Sequence, residues 1–170
     1  MGTASKRYAT RPRRQWLFEW TNRFTGATPQ SRVAGGPVYV QPNHQPYETE
    51  RREQQLVLAY CALMTQQGSR IARHLIRPDG EAKPMFSDVY DTTRNNLLEA
   101  KGAVTREAIS MAIGQLADYR RFIEPRPSCA VLLPERPRPD LETLLSIEGI
   151  AVVWLIEHGT FADNKAGAFT

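Results

Sequence analysis

Two stretches of almost unbroken apolar residues, CAVLLP at 129 to 134 and IAVVWLI at 150 to 156, constrain this 170-residue chain more than any other feature. A strand that alternates apolar and polar residues has one wet face, whereas a run this apolar has to be covered on both. Between them, Asp140 to Ser146 reads as a short helix capped by Asp140. Strand, helix and strand in that order make a crossover unit, so both faces of the sheet need helices packed against them.

Upstream, Leu56, Val57, Tyr60, Cys61 and Met64 form a one-sided stripe at helical spacing, which predicts a helix over 48 to 67 that Thr49 caps and Gly68 ends. Three short runs follow, at 70 to 78, 85 to 91 and 95 to 101. The connections between them, PDGEAK and TTR, are short and turn-rich, which favours an antiparallel meander. A second helix is expected from Arg106 to about Phe122, with Ile109, Ala112, Ile113 and Leu116 on its inner face and Pro125 and Pro127 beyond its end. The expected order is α, β, β, β, α, β, α, β, an α/β domain whose mixed central sheet is flanked by helices.

The charge is unevenly distributed. Residues 1 to 47 hold seven Lys and Arg against one acid, a balance of +6, while the remainder is at −2 within a net +4. We therefore divide the chain into a basic N-terminal arm, 1 to 47, and a compact domain, 48 to 170. In the arm, Trp16, Trp20 and Phe24 recur at helical spacing before Gly26 and predict a short helix. VYV at 38 to 40 is the one strand-like stretch. The arm is either a phosphate-binding tail or a solvated leader.

Several classes are excluded. No apolar run approaches the roughly 20 residues that cross a bilayer, and no apolar segment follows Lys6, Arg7, Arg11, Arg13 and Arg14 as a signal peptide requires, so a cytoplasmic protein is expected. Cys61 and Cys129 lie in apolar segments as free thiols. His44, His74 and His158 are isolated from one another and from the cysteines, without metal-chelating spacing, and are expected at the surface or its boundary.

Chemistry concentrates in three residues. Glu99 and Lys101 are two apart on a predicted strand and so share a face, and the tight TTRNN connection brings Asp88 on the neighbouring strand close to Glu99. Converging carboxylates repel unless a cation lies between them, and hard oxygen ligands select Mg²⁺ or Mn²⁺. A lysine beside such an ion can orient water and neutralise charge growing on a phosphate. The competing reading makes Glu99 and Lys101 a surface pair and Asp88 a turn residue. Against it, LLEAK sets its charges directly behind an apolar run that reads as a central strand, where they are costly unless they line a cleft.

This pattern resembles the PD-(D/E)xK nuclease superfamily, the restriction-endonuclease-like fold with its αβββαβ core. Ser87-Asp88 stands where the family has Pro-Asp, and Glu99-Ala100-Lys101 stands as the (D/E)xK element. On the following helix, Gln115 and Tyr119 resemble the QxxxY motif of the RecB-type and Mrr-like branches. Glu53 resembles the acidic residue that several of these families place beside the metal, with Glu50 as the competing choice and a solvated role open to both. The resemblance implies that Asp88, Glu99 and the carbonyl of Ala100 bind Mg²⁺ or Mn²⁺, that Lys101 serves the water and the scissile phosphate, and that Gln115 and Tyr119 orient them. Arg106, Arg120 and Arg121 flank the helix and are candidates for DNA phosphate contacts.

The expectation is thus a metal-dependent DNA endonuclease of a restriction or anti-phage system. The alternative is an inactive nuclease-fold module that binds nucleic acid or serves a structural role. The sequence has no helix-turn-helix, zinc finger or base-reading platform, so specificity would come from the arm, from a homodimer, or from an upstream domain or partner.

Overall fold

The computed structural model describes residues 16–19, 44–157 and 159–170. In chain order the elements are β1 (Trp16–Glu19), α1 (His44–Gln66), β2 (Ile71–Ile76), β3 (Met85–Phe86), β4 (Val89–Asp91), β5 (Asn96–Ala100), α2 (Arg106–Tyr119), β6 (Ser128–Leu133), α3 (Pro139–Ile147), β7 (Ala151–Glu157) and β8 (Thr160–Asp163). One 3₁₀ turn, Arg120–Phe122, extends α2. Seven strands form one mixed sheet in the order β1-β2-β4-β5-β6-β7-β8, and short β3 pairs with β2. The β2, β4, β5 part is an antiparallel meander; β5, β6 and β7 are parallel.

Period-two alternation explains why the central strands must be covered twice. Along β6, Cys129, Val131 and Leu133 enter a core with Ile109, Ala112 and Leu116 of α2 and Leu141 and Leu145 of α3. Ala130 and Leu132 enter a second core with Leu56, Tyr60, Cys61 and Met64 of α1. Thus α1 covers one face, and α2 and α3 cover the other. Both cysteines are buried and free, as expected. No helix among the described residues is long and apolar enough to cross a membrane.

Four local expectations need correction. Trp16–Glu19 is a strand, not the start of a helix, and pairs antiparallel with β2 from Trp16↔Leu75 to Glu19↔Ala72. The free backbone groups along that edge of β2 favour strand addition over a lone amphipathic helix. Trp20, Phe24 and the VYV stretch lie outside the described residues. Helix α1 begins at His44, so Thr49 lies inside it and does not cap it. Asp140 is not the cap of α3 either: Arg138 holds that position and Pro139 starts the helix with its fixed φ. Finally, His74 is buried, its ring centroid 4.3 Å from that of Tyr90.

Candidate functional site

The site forms where two strands part. Pairing of β2 with β4 runs Ile71↔Asp91 and Ala72↔Tyr90, but pairing with β3 runs Leu75↔Phe86 and Ile76↔Met85, so the register steps by one residue at Ser87–Asp88. Such a bulge re-aims a side chain and ends the regular ladder. The step is held by His74, whose backbone N–H donates to the Ser87 hydroxyl at 2.9 Å, and by Arg73, whose Nε donates to the Ser87 carbonyl at 2.7 Å.

The β4–β5 ladder ends at Val89↔Leu98, one step short of Asp88 and Glu99. There the Asp88 side chain takes over the strand's role, and its Oδ2 accepts the Ala100 N–H at 2.9 Å. Its Oδ1 lies 3.8 Å from Arg73 Nη2. Sequence reasoning missed Arg73; its only signal was a charge within the otherwise apolar IARHLI.

Glu99 shares the α2 face of β5 with Leu97, by strand parity. It is only 3% exposed and Lys101 only 6%, and Lys101 Nζ donates to Glu99 Oε1 at 2.9 Å. Burial pushes the Glu99 carboxyl up from 4.5 to about 7; Asp88 adds to the rise, and Lys101 only partly opposes it. Among the described residues, none donates a hydrogen bond to Glu99 Oε2. A buried carboxylate oxygen without a donor is rare and costly.

Helix α2 supplies the wall over this pair. Thr105 caps it, its side chain accepting the Ala108 N–H at 3.2 Å, and Ile109, Ala112, Leu116 and Tyr119 face inward. Gln115 Nε2 lies 3.5 Å from the Tyr119 hydroxyl, and among the described residues Gln115 Oε1 is buried without a partner, as are Glu99 Oε2 and, away from this pair, His74 Nε2. The Tyr119 phenol is raised by burial, with smaller upward pushes from Glu99 and Asp88, which puts it within electrostatic reach of both acids.

Helix α1 closes the other side. Glu53 Oε1 accepts the Gly102 N–H at 3.0 Å, directly beyond Lys101. A Cβ on Gly102 would run into the Thr49 carbonyl and press on Glu53, so only glycine lets the strand end come this close to the helix. Between the choices the sequence left open, Glu53 therefore touches the strand end, while Glu50 lines the neighbouring cleft. That cleft, about 200 Å³, is bounded by Glu50, Glu53, Gln54, Val57, Leu58, Arg73 and Asp88.

Asp88, Glu99, Ala100, Lys101, Gln115, Tyr119 and Glu53 thus belong to one neighbourhood. The three arginines do not form one patch. Arg106 stands at the start of α2 and pairs with Asp140. Arg121, past the far end of α2, pairs with Asp118, and Arg120 lies beside Cys129. At 1.5 Å per residue the two ends of α2 are about 20 Å apart.

Among the described residues, no group of three or more His, Cys, Asp or Glu side chains converges as a protein-only metal cage requires. Two carboxylates and a carbonyl nevertheless fit a hard divalent ion that keeps several of its waters, and the unpartnered Glu99 Oε2 is an oxygen such an ion would satisfy. No protein-family model, no curated protein and no solved structure matches the chain.

Proposed function

We propose that this chain is a nuclease domain of the PD-(D/E)xK, restriction-endonuclease-like type that hydrolyses DNA phosphodiester bonds with Mg²⁺ or Mn²⁺. We place it in the cytoplasm, in restriction or another defence against foreign DNA. One observation carries the reading: a buried, proton-hungry Glu99 with an unpartnered oxygen, one strand from Asp88 and in contact with Lys101. As a purely structural feature this arrangement costs stability and returns little, since a buried ion pair is weak support for a fold.

In this reading Asp88, Glu99 and the Ala100 carbonyl bind the ion, which when bound polarises the phosphate and makes a coordinated water more acidic. The chain's own residues do the rest. Lys101 Nζ, already held 2.9 Å from Glu99, orients the attacking water and balances charge gathering on the phosphate oxygens. Gln115 and Tyr119 keep Lys101 and the phosphate in register from the α2 side. Glu53 holds the strand end in place through Gly102.

The test is cutting of plasmid or phage DNA, including modified DNA, in Mg²⁺ or Mn²⁺. Cutting is expected, is stopped by EDTA, and is lost in Lys101→Ala and Asp88→Asn while circular dichroism shows both variants folded. A parent protein that binds DNA yet never cuts any of these substrates in either metal would defeat the reading and leave the inactive nuclease-fold module in its place.

A further inference from the structure

We infer that the segment leaving β6, from Pro134 to Pro139, is a contact surface for the DNA backbone on which Arg136 and Arg138, joined by Arg106, hold substrate phosphates. The inference rests on the nuclease reading and names the contacts of its substrate.

Its placement follows from the register. Strands β5 and β6 are parallel with Ala100↔Leu132 paired, and the Lys101 N–H donates to the Leu132 carbonyl at 3.0 Å. The chain therefore leaves β6 at the same sheet edge at which Glu99 and Lys101 sit. In open α/β sheets that edge, beyond the carboxyl ends of the parallel strands, is where ligands bind. Arg106 opens α2 at the same edge.

The segment is also stiff. Pro134, Pro137 and Pro139 fix their own φ and bias the residues before them towards extended backbone, and Arg138 obeys with φ −66° and ψ 156°. Pro137 is buried between two exposed arginines. Arg136 grips Glu142 with two hydrogen bonds, at 3.2 and 3.1 Å, and lies 5.2 Å over the Trp154 ring. Arg138 Nε donates to Asp140 Oδ1 at 2.7 Å, and Arg106 Nη2 takes the other oxygen of the same carboxylate.

Three guanidinium groups are thus held by two carboxylates, with Glu135 in the segment and Glu107 beside Arg106 and Arg138 as further acids, so the surface has no excess of positive charge; each arginine side chain is nevertheless more than half exposed. Exposed ion pairs of this kind add little stability, with a median of about 0–1 kcal/mol. What they do is fix the forks in position. Each guanidinium has five N–H donors and spends one or two, so the rest remain for planar recognition of phosphate oxygens. Arg121 serves as an internal control: it is equally exposed and equally paired, but beyond the opposite end of α2.

The experiment uses the full chain and a short fluorescent DNA duplex in EDTA, with affinity read by anisotropy across a salt series. Replacing both Arg136→Gln and Arg138→Gln should weaken binding roughly tenfold and lower the salt slope by about 2, one per lost phosphate contact. Asp140→Asn removes the shared acid and should tighten binding about threefold. Arg121→Gln, which removes one charge where the double variant removes two, should leave both readouts unchanged. The inference is overturned if the double variant loses no more affinity than Arg121→Gln, or if the parent binds no duplex. Should the double variant fail to melt cooperatively, the Asp140→Asn gain decides alone, and its absence overturns the inference. Cutting is scored separately: DNA bound with the expected slope change but never cut removes the nuclease reading and leaves the surface, while cutting with an unchanged slope does the reverse.

Discussion

Asp91 and Glu99 sit on neighbouring antiparallel strands, at opposite ends of the same hairpin, and are buried to the same degree, 1% and 3% exposed. Their surroundings differ in kind. Asp91 Oδ2 accepts the Ser69 hydroxyl at 2.8 Å, Oδ1 accepts the Thr93 and Arg94 N–H groups at 2.8 and 3.1 Å, and Arg94 Nε stands 3.9 Å away. Among the described residues, Glu99 has one side-chain donor, Lys101, and an oxygen with none. Burial of a carboxylate therefore does not mark a site here. What distinguishes Glu99 is that one of its oxygens is left without a donor where β4 and β5 part, with Asp88 near enough to push its carboxyl further up.

If that distinction is functional, removing groups at the two ends has opposite consequences. Lys101→Ala and Asp88→Asn are expected to lower the DNA-cutting rate per folded molecule by at least about a thousandfold, roughly 4 kcal/mol in the barrier, and Lys101→Ala to lose stability as well, since it strands the buried Glu99. Asp91→Ala should leave the rate per folded molecule within about threefold, less than 1 kcal/mol in the barrier. The check is single-turnover cleavage normalised to the folded fraction. An Asp91→Ala protein that is folded but inactive would erase the contrast between the two acids.

The Glu99 side of this contrast was legible in the sequence, the Asp91 side was not, and the parts that were not have identifiable causes. Charges placed directly after the apolar Leu97-Leu98 pair announce a special strand end, because period two puts Glu99 and Lys101 on one face. The bulge was not legible: a one-residue register step leaves no mark in local composition, and the aim of Asp88 depends on a long-range bond from Arg73 to the Ser87 carbonyl. Strand β1 was hidden because Trp16 satisfies helical spacing with Trp20 as readily as it satisfies alternation with Phe18. Strand β8 was missed because only Phe161 is buried along its four residues, and its hairpin turn at Gly159, φ +79°, is a weak signal. For the same reason Arg120 and Arg121 looked like neighbours of the site in sequence, although the length of α2 carries them away.

The structural end of the comparison makes the second prediction. Deleting the Asp91 carboxylate leaves the buried Ser69 hydroxyl and two part-buried backbone N–H groups without their acceptor. Asp91→Ala should cost about 3 kcal/mol, measured as the shift in urea midpoint, since each stranded donor is worth roughly 1–3 kcal/mol and water reaches some of them. A loss below about 1 kcal/mol would mean that the turn holds itself without its acid.

The functional end makes the third prediction, smaller and with the opposite sign. Glu99 titrates at about 7 in the folded protein against an ordinary 4.5, so between those values the folded chain keeps a proton that the unfolded chain has lost. That proton-linked stability is fully present below 4.5 and disappears as pH rises through 7. Above the window the ionised Glu99 is a standing cost, which Glu99→Gln removes while keeping an oxygen for Lys101. In EDTA the variant should therefore be more stable than the parent by about 1–2 kcal/mol near pH 8 and nearly equal to it near pH 4.5, with the gap opening across the window. Urea midpoints of both proteins over that range provide the measurement. Added Mn²⁺ should close the gap at high pH by stabilising only the parent, because ligand binding to the folded state raises stability by mass action. A gap of the other sign would mean that attraction to Lys101 outweighs the burial of Glu99 and its repulsion from Asp88. Glu99 would then be as well satisfied as Asp91, and its position at the parted strands would carry no cost for a metal ion to relieve.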